Sequence, residues 1–215
     1  MMRMMQKGVL SMKRCVTFMA LVLCFCLVLA GCNADKAKDS ATTETTAPAG
    51  PQPNPDLKAE ECYTYTENAD GTYSYEVEWR GGGILCAEQT MDRPVSFTVA
   101  DANVLVIHGQ AGTGVGARWA KFCDIQRGRV SQLFGGYLAA AGNRVAYVDF
   151  RTEKYHVFVA DAFDSVEPLG VYTLEGALTD SDPMEDFSVN EEGVLSVTYR
   201  TESGSKTIFV DMTKE

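Results

Sequence analysis

The sequence predicts an all-β domain of repeated antiparallel meander units, arranged like the blades of a propeller, and three observations carry that expectation. From Cys62 onward short alternating apolar runs are punctuated by Gly, Asn and Asp, the period-two pattern of half-buried strands. No stretch of helical length keeps a 3.6-residue apolar period. A phrase also recurs, in which an aromatic residue opens, a turn follows and Val restarts: Phe97 to Val104, Tyr137 to Val145 and Phe187 to Val194.

After each phrase the pattern repeats a second strand (Val104 to Ile107, Val145 to Phe150, Val194 to Tyr199), a polar loop, and a third strand. The third strands end in Phe122-Cys123-Asp124, Phe158-Val159-Ala160-Asp161 and Phe209-Val210-Asp211. A weaker copy runs from Tyr65 through Tyr73, Tyr75, Val77 and Trp79 to Ile84-Leu85-Cys86, which puts Cys86 in the slot that Cys123 holds in its own unit. The spacing of about 40 to 50 residues is that of propeller blades, whose units stack because none buries its apolar face alone. Fourth strands are expected at Val130 to Phe134 and at Leu169 to Leu174, and a strand near Tyr63 is available to complete the last unit. A two-sheet sandwich is the alternative arrangement of the same hairpins.

Ahead of this body, residues 1 to 31 read as an export signal. Arg3, Lys7, Lys13 and Arg14 stand without an acidic partner and are followed by an almost wholly apolar run from Cys15 to Ala30. That run is nearer a secretory core of about 7 to 15 residues than a span of about 20. Its end, Leu29-Ala30-Gly31-Cys32, resembles the lipobox of bacterial lipoproteins. The resemblance covers the first 32 residues and implies that a peptidase cuts before Cys32 and that its sulfur carries a diacylglyceryl group. Two acyl chains, at about 0.8 kcal/mol per buried methylene, hold a protein on a bilayer where one is marginal. The expected location is thus the outer side of the cell membrane, with Cys32 as the lipid attachment site.

Residues 32 to 61 read as the lipidated cysteine and a disordered tether. Past Asn33 this stretch has no aromatic residue and a single Leu, too little apolar surface to fold. Pro48, Pro51, Pro53 and Pro55 favour an extended conformation. Residues 62 to 215 are then the all-β globular domain.

The whole chain has a formal charge of −10. The first 32 residues hold four of its 19 Lys and Arg and none of its 29 acids, so the exported part carries −14. Such a surface repels phosphate backbones and anionic headgroups, which excludes nucleic acid as an expected partner and leaves the lipid to do the anchoring. Of seven cysteines only Cys62, Cys86 and Cys123 lie beyond the lipidation site. Three thiols allow one bridge at most, and a buried apolar role is the preferred reading of all three.

Candidate chemistry is sparse. Gly112-x-Gly114-x-x-Ala117 follows an apolar strand as a dinucleotide fingerprint does. A strand pattern follows it, however, and Gln132 stands where the ribose-binding acid belongs, so a hairpin loop is the better reading. His108 and His156 are the only histidines, and neither has a partner at metal spacing. The loop with Asp180 and Asp182 gathers carboxylates without the glycine of a calcium loop. Trp79 and Trp119 offer rings for stacking on sugars. With no nucleophile elbow, the expectation is a non-catalytic binding domain for a protein or carbohydrate, with no cofactor and no metal. Gly112, Gly114, Trp119, Asp180 and Asp182 are its candidate binding residues, and an extracytoplasmic hydrolase of an envelope or carbohydrate substrate is the alternative.

Overall fold

A computed structural model describes residues 51–149, 154–164 and 167–214. The signal segment, Cys32 and the tether to residue 50 lie outside the described residues. Within them the protein is all-β, built from antiparallel sheets taken up one after another along the chain.

The first sheet is β1 (Tyr63–Glu67), β2 (Tyr73–Glu78) and β3 (Ile84–Met91), in that order. The second is β4 (Val95–Asp101), β5 (Val104–Gln110) and β6 (Arg118–Asp124), with β7 (Arg129–Val130) and β8 (Phe134–Gly135) both paired to β6. The third runs β9 (Tyr137–Ala141), β10 (Arg144–Asp149), β11 (His156–Asp161) and β12 (Gly170–Thr173). The fourth is β13 (Met184–Val189), β14 (Val194–Thr201) and β15 (Gly204–Asp211). Each is a meander, the topology that tight turns at the recurring phrases produce. β9, which opens the third sheet, lies against β13 and β4, which open the fourth and the second.

One chemical device ends the third strand of the three stronger units. Asp124 Oδ1 accepts the N–H groups of Gln126 and Arg127, Asp161 Oδ1 those of Phe163 and Asp164, and Asp211 Oδ1 that of Thr213. These side chains satisfy N–H groups as the strand stops, as Asx turns do. The residue after each Asp donates its own N–H to the preceding hairpin: Ile125 to Asn103 O, Ala162 to Asn143 O and Met212 to Gly193 O. All three side chains are buried. The carboxylate turns the chain while the next residue pins it to the core.

Three apolar cores lie between consecutive sheets. Tyr75, Val77, Leu105, Ile107 and Cys123 join the first sheet to the second. Val106, Phe122, Phe134, Tyr137 and Val145 join the second to the third. Val148, Val157, Leu195, Val197, Tyr199 and Met212 join the third to the fourth. Each fully buried side chain of this size contributes roughly 1.5–3 kcal/mol by leaving water. Among the described residues no such core joins the fourth sheet to the first. The far face of the first sheet presents Thr64, Thr66, Glu76 and Glu78 to solvent.

Four expectations need correction. The domain starts earlier than residue 62, because Leu57 and Ala59, assigned to the tether, are buried beside Cys62 and Ile125. Arg80 holds them there: its Nε donates to Leu57 O at 2.9 Å, its Nη1 to Asn103 Oδ1 at 2.8 Å, and its carbonyl accepts Asn54 N–H at 2.9 Å. The strand expected over Val130 to Phe134 is split into β7 and β8. Ser131 Oγ takes the Phe122 N–H at 2.9 Å, so a side chain replaces the ladder carbonyl and the strand breaks. The strand at Tyr63 does not complete the last unit; it pairs with β2, Tyr63 opposite Val77. Cys86 does not occupy the slot of Cys123, since it sits near the start of β3 opposite Val77, whereas Cys123 sits near the end of β6 opposite Leu105.

Candidate functional site

The five residues expected to bind fall in three places. Gly112 and Gly114 lie in the β5–β6 hairpin loop, where Val115–Ala117 make one 3-10 turn and β6 follows directly. Gly114 has φ +78°, and a side chain there would run into the Asp182 carboxylate. That carboxylate accepts the Val115 N–H at 2.7 Å and the Met184 N–H at 3.0 Å, and the Asp182 carbonyl accepts Arg200 Nη2 at 2.6 Å. The glycine loop of the second sheet therefore cradles an anion supplied by the fourth. Beside this lock, the Arg118 guanidinium lies 4.5 Å from the Phe187 ring centroid and 5.8 Å from that of Tyr137. Asp180 stands apart, on an exposed hollow with Thr179, Glu202 and Lys206.

The histidines are held by hydroxyls. His108 Nε2 is 2.9 Å from Thr98 Oγ1, and burial together with the Arg118 charge lowers its pKa. His156 Nδ1 is 3.1 Å from Thr173 Oγ1. Among the described residues no group of three His, Cys, Asp or Glu is placed to hold a metal ion, and no helix is long and apolar enough to cross a membrane.

Trp119 lines a cleft of about 420 Å³ at the seam of the first and second sheets. Its walls combine Met91, Pro94 and Leu133 with Glu88, Arg93 and Lys121. Strand alternation explains the set: Trp119 and Lys121 project from the same face of β6, and Glu88 and Met91 come from the far end of β3. Gly109, directly opposite Trp119 on β5, lets the indole lie on the backbone; a Cβ there would be 2.8 Å from the ring. Lys121 Nζ is 3.6 Å from Glu88 Oε2, and Tyr75 donates its hydroxyl to the same oxygen at 3.2 Å. Burial, with the nearby Glu88 charge, pushes the Tyr75 hydroxyl pKa upward, so it stays a donor. Leu133 is 59% exposed at the rim.

Glu88, Arg93 and Lys121 carried no signal in the sequence beyond the alternation Trp119-x-Lys121, because the cleft is assembled from segments far apart in the chain. Trp79, the other candidate ring, is taken up by packing: side chains at Gly81 or Gly128 would overlap its indole. No family model matches the chain, and neither a curated protein nor a solved structure is similar to it.

Proposed function

We propose that this protein is a lipid-anchored, extracytoplasmic binding module in which the four meanders form an open, propeller-like stack and the Trp119 cleft takes a saccharide chain. The propeller-like reading is supported by the approach of β9 to both β4 and β13 and by cores that lie between successive sheets. The observation that carries the binding reading is the cleft lining. An indole beside Met91, Pro94 and Leu133 suits the apolar face of a sugar ring, while Glu88, Arg93, Lys121 and Gln110 can meet its hydroxyls.

Titrating the protein with a panel of neutral and amino-sugar oligosaccharides, followed by tryptophan fluorescence and calorimetry, tests this. Trp119→Ala is expected to weaken binding at least tenfold, about 1.4 kcal/mol, with Trp79 left as an internal control. Retained affinity in that variant removes the cleft as the site, and release of reducing ends during the titration replaces the binding reading with the hydrolase one. The anchor is tested separately: Cys32→Ala is expected to move the protein from the membrane fraction to the soluble fraction, and unchanged fractionation and mobility would refute it.

A further inference from the structure

Beneath the cleft, two residues further along the same strand faces from Glu88 and Lys121, two thiols meet across the seam. Cys86 belongs to β3 and Cys123 to β6, and their Sγ atoms are 3.5 Å apart. They are not partners in any ladder; each is offered from a different sheet, opposite Val77 in one case and Leu105 in the other. We propose that Cys86 and Cys123 form a reversible disulfide that staples the first sheet to the second, leaving Cys62 as the odd thiol. This goes beyond the binding reading and does not depend on it.

The geometry asks for little movement. A disulfide brings its sulfurs to about 2.0 Å, so the pair has roughly 1.5 Å to close, a displacement that side-chain rotation supplies. The two thiols also differ in a way that orders the chemistry. Cys86 is partly exposed and Cys123 is fully buried. The hydrogen bond from Cys123 and the charge of Lys121 favour the Cys86 thiolate, and that same hydrogen bond, with burial, holds the Cys123 proton on. Cys86 is thus the attacking group and Cys123 the resolving one.

With a disulfide-bearing oxidant, small molecule or protein, the Cys86 thiolate attacks one oxidant sulfur and expels the other as a thiol. Cys123 then gives its proton to solvent and attacks Cys86 Sγ, expelling the second thiol. Two protein thiols are oxidised and one oxidant disulfide is reduced to two thiols. Cys62 is held out of this exchange. It is 1% exposed, its thiol donates to Ala59 O at 3.2 Å, and burial pushes its pKa up to about 11.

The link would matter because, among the described residues, the first sheet is secured on one face, through its core with the second. Incubating the full chain with oxidised glutathione, blocking residual thiols under denaturing conditions and mapping linked peptides by mass spectrometry is the direct test. The expected product is an intramolecular Cys86–Cys123 peptide pair that dithiothreitol abolishes and that persists in Cys62→Ala. Closing the 37-residue separation between these positions is expected to raise the thermal midpoint by about 10 °C over the reduced protein. Linkage through Cys62, linkage between chains, or full alkylation of Cys86 and Cys123 after oxidation would each overturn the proposal. The native chain suffices for the mapping, so a variant that fails to fold does not weaken the test.

Discussion

Gly136→Ala is expected to destabilise the domain by about 3–5 kcal/mol, a large share of the roughly 5–15 kcal/mol that holds an ordinary domain folded. Gly136 has φ +68°, a region that costs an L-residue about 1 kcal/mol. Its missing Cβ would overlap the Val148 carbonyl oxygen, a backbone atom that cannot swing aside. The residue also joins two sheets, donating its N–H to Arg118 O at 2.8 Å and accepting that of Val148 at 2.9 Å. Relieving the overlap breaks one of these bonds, so strain and a lost inter-sheet connection add. Urea unfolding of the variant beside Gly135→Ala checks the cause. A side chain at Gly135 meets nothing within 4 Å, and that neighbour is expected to lose less than about 1 kcal/mol. Equal loss in the two variants would show that the overlap is not the reason.

Phe122→Ala is expected to cost a similar 3–5 kcal/mol by a different route, the cavity left when a large buried ring is removed. Phe122 is fully buried in the core between the second and third sheets, edge-on to Phe134 at 6.0 Å and to Phe163 at 6.5 Å between ring centroids. Those three rings come from β6, β8 and the turn after β11, so the loss falls on the joint between sheets rather than on one hairpin. Denaturant midpoints of Phe122→Ala and Phe122→Leu measure it, the Leu variant recovering about half because it refills part of the space. Equal midpoints for the wild type and the Ala variant would contradict the packing described.

The meanders were legible in the sequence because their signals are local. An aromatic, a turn of Asn, Asp or Gly and a restarting Val lie within eight or nine residues, and the strand-ending Asp124, Asp161 and Asp211 are read off directly. What escaped depends on partners distant in the chain. Leu57 and Ala59 sit among prolines and charges, and only Arg80, more than twenty residues on, reveals why they are buried. The break between β7 and β8 turns on one serine hydroxyl. Asp182 read as a candidate binding residue of an acidic loop, yet it fills the glycine loop 67 residues upstream. The cleft was half legible: Trp119 was visible as a ring, whereas Glu88, Arg93 and Lys121 gain meaning only when two sheets meet.

The place where the chain enters the domain has a mechanical consequence. Tension applied upstream of residue 51 reaches the fold at Asn54 and Leu57, both clamped by Arg80, which also grips Asn103 in the second sheet. The pull is therefore shared between two sheets before it can peel a strand. Arg80 acts as a strain relief, as the clamp on a cable takes a tug before the soldered joint does.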